Sequence, residues 1–406
     1  MQGRERAGPS WLVPAVLVAC TSVSILSTDL YTPSLPHLPR LLGSDAETVQ
    51  LTMSLNLAAY AAAQLLHGPL ADRFGRRRLL LAGFLCFVVA SLGCALAQSI
   101  GGLLAGRIAQ GLFSSVPSVV VILMIRELYD RTRSVRIMGY YGMAVGLAPA
   151  MGPLIGGYIY VYAGWRMNFF VLAGFALLVL LLVARFLPET GTRDAAALRP
   201  GRILAGYGRL LRRSAYLRYL VPLSLVFGAF FAFVTAGPFV LINRLGVATE
   251  DYGLYYGILV LAFMAGSLAA NRLVRRWAPE RLVQGGVAIA LVAGLSLLAP
   301  LLAGRESFFG IVFAMALLSF GIGLLLASGP ICLLDAAGDA PQGPAAALVG
   351  SLQLTAASLA GLLVGTFHDG TPLPLAFTIA GFAVIAALGY ATPVLLRVAH
   401  RATVAS

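Results

Sequence analysis

Long apolar runs alternate with short polar gaps along almost the whole chain. Each run is about twenty residues long, which is the length that an α-helix needs to cross the hydrocarbon core of a bilayer. The pattern therefore predicts an all-α integral membrane protein with twelve transmembrane helices. The predicted spans are residues 11–33, 47–66, 79–97, 101–124, 137–161, 167–187, 218–242, 253–270, 282–302, 308–331, 345–366 and 373–396.

One polar break is much longer than the others and divides the spans into two sets of six. It covers residues 188–217, and the stretch from Ile203 to Leu211 has the amphipathic pattern of a helix that lies along a membrane surface. We therefore predict an N-terminal six-helix bundle at 1–187, a cytoplasmic linker at 188–217 and a C-terminal six-helix bundle at 218–406. Two such repeats would be pseudo-symmetric.

Composition and charge support a membrane protein and exclude other classes. Hydrophobic residues make up 59% of the chain and charged residues only 11%, which does not describe a soluble surface. The net charge is +13, and every basic residue is arginine. A Walker-type ATPase is excluded because its P-loop needs a lysine. The arginines lie in the gaps between apolar runs, so they indicate membrane topology and not a nucleic-acid surface.

The distribution of arginines predicts the orientation in the membrane. With the N-terminus inside, the arginines of outside segments are Arg40, Arg166, Arg244 and Arg305, and Arg107 lies within a span. All the others of the 29 basic residues fall in segments on the cytoplasmic side. Under the positive-inside rule, both termini therefore face the cytoplasm.

A compact cluster of charge separates the second and third apolar runs. The segment from Gly68 to Leu81 reads GPLADRFGRRRLLL, and we expect its glycines to mark the turn between two helices. A plain positively charged turn is the simpler interpretation, but the order of residues resembles the loop between helices II and III of the major facilitator superfamily. That resemblance implies a cytoplasmic latch between the two halves of a transporter. The latch residues would be Gly68, Asp72, Arg73, Gly75 and Arg76.

A degenerate copy of this loop lies at the matching place in the second set of six spans. It runs from Asn271 to Leu282, and Arg275 stands where Asp72 stands in the first copy. The glycines are also gone. With the six-plus-six plan, this copy supports an internal repeat.

Two ionisable residues lie within the predicted spans, where charge is costly and usually functional. From the helical rise, Asp29 in the first span lies about 6 Å and Arg107 in the fourth about 9 Å below the outer surface. We therefore predict that Asp29 is the proton-coupling site and Arg107 its charge partner. The alternatives are a solvated helix end for Asp29 and a structural ion pair or bonds to helix carbonyls for Arg107. The Arg107-Ile-Ala-Gln110-Gly111 segment resembles the fourth-helix motif of proton-coupled facilitators, which favours the functional interpretation.

The fifth span concentrates small residues and prolines, most of them on one helical face. They are Gly142, Gly146, Pro149, Gly152, Pro153, Gly156 and Gly157. Small residues let helices approach closely, so ordinary tight packing is one interpretation. The Gly-Pro-x-x-Gly-Gly run resembles the fifth-helix motif of the drug–proton antiporter branch, which implies a helix-packing seal and transport outward. We expect this face to pack on small residues of the eighth span, with Gly146 near Gly266.

Further segments resemble the Bcr/CflA group of bacterial drug exporters, which includes bicyclomycin and chloramphenicol or florfenicol efflux proteins. They are Ser27 to Pro36, Trp165-Arg166 and Leu187 to Thr190, and the resemblance is strongest over residues 27–190. Some relatives carry a second acid two turns earlier in the first helix, where this chain has Thr21. Coupling to a divalent cation through paired acids is therefore not expected.

The resemblance implies a transporter and not an enzyme. We expect proton-coupled export of small drug-like compounds across the bacterial inner membrane by alternating access. The alternatives are a proton-coupled importer of a small metabolite and a membrane receptor or structural protein. We expect a monomer in the lipid bilayer, with no cofactor, no metal site and no nucleic-acid partner. The substrate-pocket candidates are polar or aromatic residues within spans: Tyr31, Asn56, Tyr60, Gln110, Phe230, Tyr255, Tyr256 and Gln353.

Overall fold

The computed structural model describes residues 11–191, 194, 198–338 and 342–404. Residues 192, 193 and 195–197 of the predicted linker lie outside the described residues. The helices are α1 Leu12–Asp29, a 3-10 helix Thr32–His37, α2 Leu38–Leu42, α3 Ala46–Phe74, α4 Arg76–Ala95, α5 Ile100–Leu128, α6 Arg131–Ala163, α7 Trp165–Phe186, α8 Pro200–Leu211, α9 Ser214–Pro238, a π-helix Phe239–Arg244, α10 Tyr252–Leu273, α11 Pro279–Leu302, α12 Phe308–Ala337, α13 Gln342–Thr366 and α14 Leu373–Val404.

The helices form the two six-helix bundles of a twelve-span membrane protein. In the first, α3 and α4 pack on α5, α4 packs on α7, and α1 packs on α5 and α6. In the second, α9 packs on α13 and α14, while α12 packs on α10 and α11. The bundles meet mainly along two pairs of helices, α3 with α13 and α6 with α10.

Within the described residues, 11 helices are long and apolar enough to cross a membrane by length and composition. The predicted second span is not among them, although α3 has 29 residues. The hydropathy of α3 is lower because the helix contains several polar residues. Their side chains lie in contacts with other helices and not against lipid. Those buried polar residues include Gln50, Thr52, Ser54, Asn56 and His67.

The turn after the second span is shorter than predicted. We expected Gly68 to mark the turn, but it lies inside α3, which continues to Phe74. The chain reverses at Gly75 alone, whose φ of 97° is in the region that favours glycine. The prediction for Gly68 is therefore wrong, whereas that for Gly75 is confirmed.

A distant hydroxyl group compensates for the proline inside α3. Pro69 has no backbone N–H, so the carbonyl of Leu65 four residues earlier lacks its helical partner. The hydroxyl of Tyr207 in α8 donates to this carbonyl at 3.1 Å. The linker helix α8 therefore satisfies the carbonyl that Pro69 leaves free and attaches to the first bundle.

The first span also ends earlier than predicted. Its α-helix stops at Asp29 instead of Pro33, and a 3-10 helix follows. Pro33 cannot donate to the carbonyl of Asp29, and the hydroxyl of Thr32 donates to that carbonyl instead at 2.8 Å. Asp29 is thus the last residue of α1, at a point where the backbone changes its helical geometry.

Candidate functional site

The guanidinium of Arg107 lies at the centre of a polar cluster inside the first bundle. Its side chain is fully buried. The Nη1 atom donates to the carbonyl of Ser27 at 2.8 Å and to Oε1 of Gln110 at 2.7 Å. The guanidinium also lies over the ring of Tyr31, 4.4 Å from its centroid. These contacts stabilise a buried charge that would otherwise be very costly in the membrane.

Three predicted substrate-pocket residues are engaged in holding Arg107 in place. Gln110 accepts from Arg107 and donates to the hydroxyl of Ser91 at 2.8 Å. Asn56 donates to the backbone carbonyl of Arg107 at 2.7 Å. The hydroxyl of Tyr31 shares a hydrogen bond of 2.7 Å with that of Thr52.

All three side chains, those of Tyr31, Asn56 and Gln110, are buried. In this conformation they contact protein groups around Arg107, whereas the Oδ1 atom of Asn56 is buried without a hydrogen-bond partner among the described groups. The interpretation of Arg107 as a residue bonded to a helix carbonyl, which the sequence left open, therefore describes its contact with Ser27.

Asp29 lies close to this cluster, at the end of the helix that carries Ser27. Asp29 lies two residues after Ser27, whose backbone carbonyl accepts from Arg107. Among the described residues, Asp29 and Arg107 form no ion pair. The expected direct contact is therefore not formed in this conformation, although the charge of Arg107 still acts on Asp29 electrostatically.

The face of α1 that carries Asp29 packs against α6. Asp29 is only 4% exposed, so it is not a solvated helix end. A Cβ atom at Gly152 would lie 2.8 Å from the Cβ of Asp29, and one at Gly156 would overlap the carbonyl oxygen of Leu30. Glycine at both positions is what lets α6 approach α1 this closely.

A tyrosine that the sequence analysis did not select lies near Asp29 from the second bundle. Tyr252 and Tyr256 of α10 are buried and interact electrostatically with Asp29. The hydroxyl of Tyr252 is buried without a hydrogen-bond partner among the described groups. Its position one helical turn before Tyr256 places it on the same face, a spacing that could have identified it.

The remaining pocket candidates lie in several different places. Phe230 lies 6.1 Å from Tyr256 between ring centroids, so these two residues form an aromatic cluster in the second bundle. Tyr255 instead packs edge-to-face on Phe308 of α12 at 4.9 Å. Tyr60 and Gln353 are half-buried in α3 and α13. The side chains with exposure left for a ligand are therefore Tyr60, Phe230, Tyr255 and Gln353.

The small-residue face of α6 packs only along the part near its C-terminal end. Gly152, Pro153, Gly156 and Gly157 are buried, and Pro149 is half-buried. In contrast, a Cβ atom added at Gly142 or Gly146 would meet no neighbouring described atom within 4 Å.

The contact between α6 and α10 lies elsewhere than predicted. A Cβ at Gly253 would overlap Leu154, and one at Gly157 would lie 2.7 Å from the carbonyl oxygen of Thr249. Gly266 faces Phe320 of α12 instead of Gly146. The expected neighbours are therefore wrong, because the antiparallel helices meet at the opposite end of α6 and Gly266 lies on another face of α10.

The charged loop after α3 forms a compact network within the first bundle. Arg76 is buried, and its Nη2 lies 2.8 Å from Asp72 and 2.9 Å from Glu127. Its Nη1 donates to the carbonyl of Ala71 at 2.9 Å. The side chain of Arg73 lies over the ring of Phe74. These side-chain contacts of Asp72 and Arg76 join helices of one bundle, so a latch between the two bundles stays a prediction.

Known proteins resemble this chain both in sequence and in fold. Residues 17–365 match the Major Facilitator Superfamily profile. The chain is similar to the bicyclomycin resistance protein homolog of Haemophilus influenzae, with 29% identity over 89% of this chain and 91% of the relative. It is also similar to a chloramphenicol resistance protein of Pseudomonas aeruginosa, with 32% identity over 75% of this chain and 72% of the relative.

Multidrug resistance protein D of Escherichia coli shares 29% identity over 83% of this chain and 84% of the relative. Among solved structures, a D-xylose–proton symporter matches with a TM-score of 0.71 at 17% identity, over 93% of this chain and 96% of that chain. At this identity the structural match concerns the fold alone.

Proposed function

The chain belongs to the Major Facilitator Superfamily, and we propose that it exports small drug-like compounds across the bacterial inner membrane in exchange for protons. The observation that carries this proposal is similarity, over most of the chain, to bicyclomycin, chloramphenicol and multidrug resistance proteins. The Gly-Pro-x-x-Gly-Gly run of α6 supports the outward direction. The protein would act as a monomer with both termini in the cytoplasm.

We place the bundle boundaries at 1–187 and 218–406, with 188–217 as the linker. Transport would then follow from rocking of the two bundles against each other. The contacts of Gly157 with Thr249 and of Leu154 with Gly253 would close the outer side. A Cβ atom at Gly142 or Gly146 would meet no other atom of the described residues within 4 Å, and in the orientation that we propose this part of α6 would lie toward the cytoplasm. This conformation would therefore admit a drug from the cytoplasm.

Asp29 is the residue that we propose to carry the proton. It lies where α1, α6 and α10 come together, so a change in its charge would act on the contact between the bundles. A buried charge is costly unless it is paired, and gain or loss of a proton would therefore favour different arrangements of these helices. Arg107 would act through the backbone of α1, whose Ser27 carbonyl it holds.

A resistance panel in an efflux-deficient host tests the proposed function. Expression of the chain should raise the tolerated concentration of at least one compound among phenicols, bicyclomycin, tetracycline and cationic dyes, compared with an empty vector. Transport in membrane vesicles of both pH polarities then gives the direction. Accumulation of substrate on the side with more protons supports antiport, whereas movement with the protons would identify an importer and contradict the proposal.

A further inference from the structure

Three arginines surround one cavity where α10 ends and the chain turns toward α11. The cavity is lined by Leu268, Asn271, Arg272, Leu273, Arg275 and Arg276. All three guanidinium groups belong to exposed residues. Within the described ranges, none of them forms an ion pair with a carboxylate. The site therefore concentrates positive charge that these parts of the protein do not neutralise.

The matching loop of the first bundle shows how such charge is neutralised when an acid is present. There Arg76 binds Asp72 and Glu127, and Arg77 donates to the carbonyl of Ala184. The second copy also has four arginines and one acid, but Arg275 stands at the place of Asp72 and Glu280 at the place of Arg77. The acid of the second copy is thus not among the residues that line the cavity.

Exposed apolar residues run along α10 toward the three arginines. Leu254, Leu261 and Leu268 are all exposed large hydrophobic residues of α10. Their seven-residue spacing places them on one face of α10, and Leu268 also lines the cavity. Trp277 beside the cluster is 49% exposed, and tryptophan is enriched at the boundary between membrane and water. An apolar strip therefore leads directly to the cluster of positive charge.

We propose that Arg272, Arg275 and Arg276 bind the phosphate of an anionic phospholipid. Its acyl chain packs along the exposed leucines of α10. The guanidinium group presents paired donors that match phosphate oxygens, and basic pockets at this depth recognise anionic headgroups. The site is separate from Asp29 and does not depend on which compound the protein transports.

Native mass spectrometry of the full chain in detergent tests this site with phosphatidylglycerol and phosphatidylcholine that carry the same acyl chains. The wild-type protein should bind phosphatidylglycerol more tightly. The triple variant R272Q/R275Q/R276Q should lose between about tenfold and a hundredfold of that affinity, from the contribution of a basic residue at a membrane surface. Its affinity for phosphatidylcholine should be unchanged.

The matched control is R78Q/R209Q/R212Q, which removes the same charge from three other exposed arginines. It should keep the preference for phosphatidylglycerol, and thermal unfolding of both variants checks that they are folded. Equal loss in the control would contradict a specific site. Displacement of the lipid by inorganic phosphate at similar concentration would identify a free-anion site instead. Retained lipid preference with lost export would assign the arginines to a contact between the bundles and overturn the proposal.

Discussion

The imidazole Nε2 of His37 lies 3.0 Å from the hydroxyl oxygen of Thr249, and this hydrogen bond joins the two bundles. His37 also stacks on the ring of Tyr160, with 4.5 Å between centroids and 12° between planes. Gly157 approaches the backbone of Thr249 at the same place. One half-buried imidazole thus contacts the 3-10 helix after α1, the end of α6 and the segment before α10. We propose that these contacts close the outer side.

We expect Thr249→Val to weaken this closure. A typical hydrogen bond contributes about 1 kcal/mol net, which corresponds to a change of about fivefold in a conformational equilibrium. Spin labels at Tyr162 and Phe309, which are 82% and 80% exposed near the same ends of the bundles, report the separation. The population at longer distance should increase about fivefold in Thr249→Val. Thr249→Ser keeps the hydroxyl and should match the wild type, and equal behaviour of both variants would argue against the hydrogen bond.

The two ends of the small-residue face of α6 should respond differently to an added methyl group. In Gly156→Ala the new Cβ would overlap the carbonyl oxygen of Leu30, whereas in Gly146→Ala it meets open space. Overpacking typically costs about 1–3 kcal/mol, so only Gly156→Ala should lower the thermal unfolding temperature. Export could fall in both variants if Gly146 is packed at another stage of the cycle. Equal stability of the two proteins would contradict the close contact of α1 and α6.

The depth of a residue in the membrane could be predicted from this sequence. The side of the helix from which its side chain projects could not. The rise per residue placed Asp29 and Arg107 at similar depth, and the structure brings Arg107 to the carbonyl of Ser27 in the same helix as Asp29. The side of α1 that faces α5 depends on how the helices pack. Because α1 is apolar on all sides, its sequence pattern does not show which side contacts another helix. In this conformation Asp29 and Arg107 form no ion pair among the described residues, and the role of Arg107 as charge partner stays a prediction.

Local sequence patterns likewise did not predict that a distant side chain would bond to the carbonyl that Pro69 leaves free. Glycine and proline at positions 68 and 69 are typical of a turn, yet α3 continues through them. The partner of the freed Leu65 carbonyl is Tyr207, which lies more than a hundred residues later. In contrast, the turn at Gly75 follows from local properties and was predicted correctly.

The contact of Tyr207 with Leu65 allows a double-mutant test. Tyr207→Phe should destabilise the protein by about 1 kcal/mol, because the Leu65 carbonyl loses its donor. In a Pro69→Ala background the backbone N–H of residue 69 can bond to that carbonyl, so the same Tyr207→Phe change should cost much less. Chemical unfolding of the four proteins in detergent measures the difference. Equal costs in both backgrounds would show that Tyr207 does not act through the carbonyl freed by Pro69.

Asp29→Asn tests the proton-coupling site directly. Asparagine has nearly the same shape, so the packing against Gly152 and the unfolding temperature should be retained. It cannot exchange a proton, so export driven by a pH gradient should be abolished while substrate binding is partly kept. The measurement is transport in inverted vesicles with an imposed gradient, together with binding of the same compound to purified protein. Asp369→Asn, in an exposed loop, is the control and should export normally. Full gradient-driven export by Asp29→Asn would place the proton on another group.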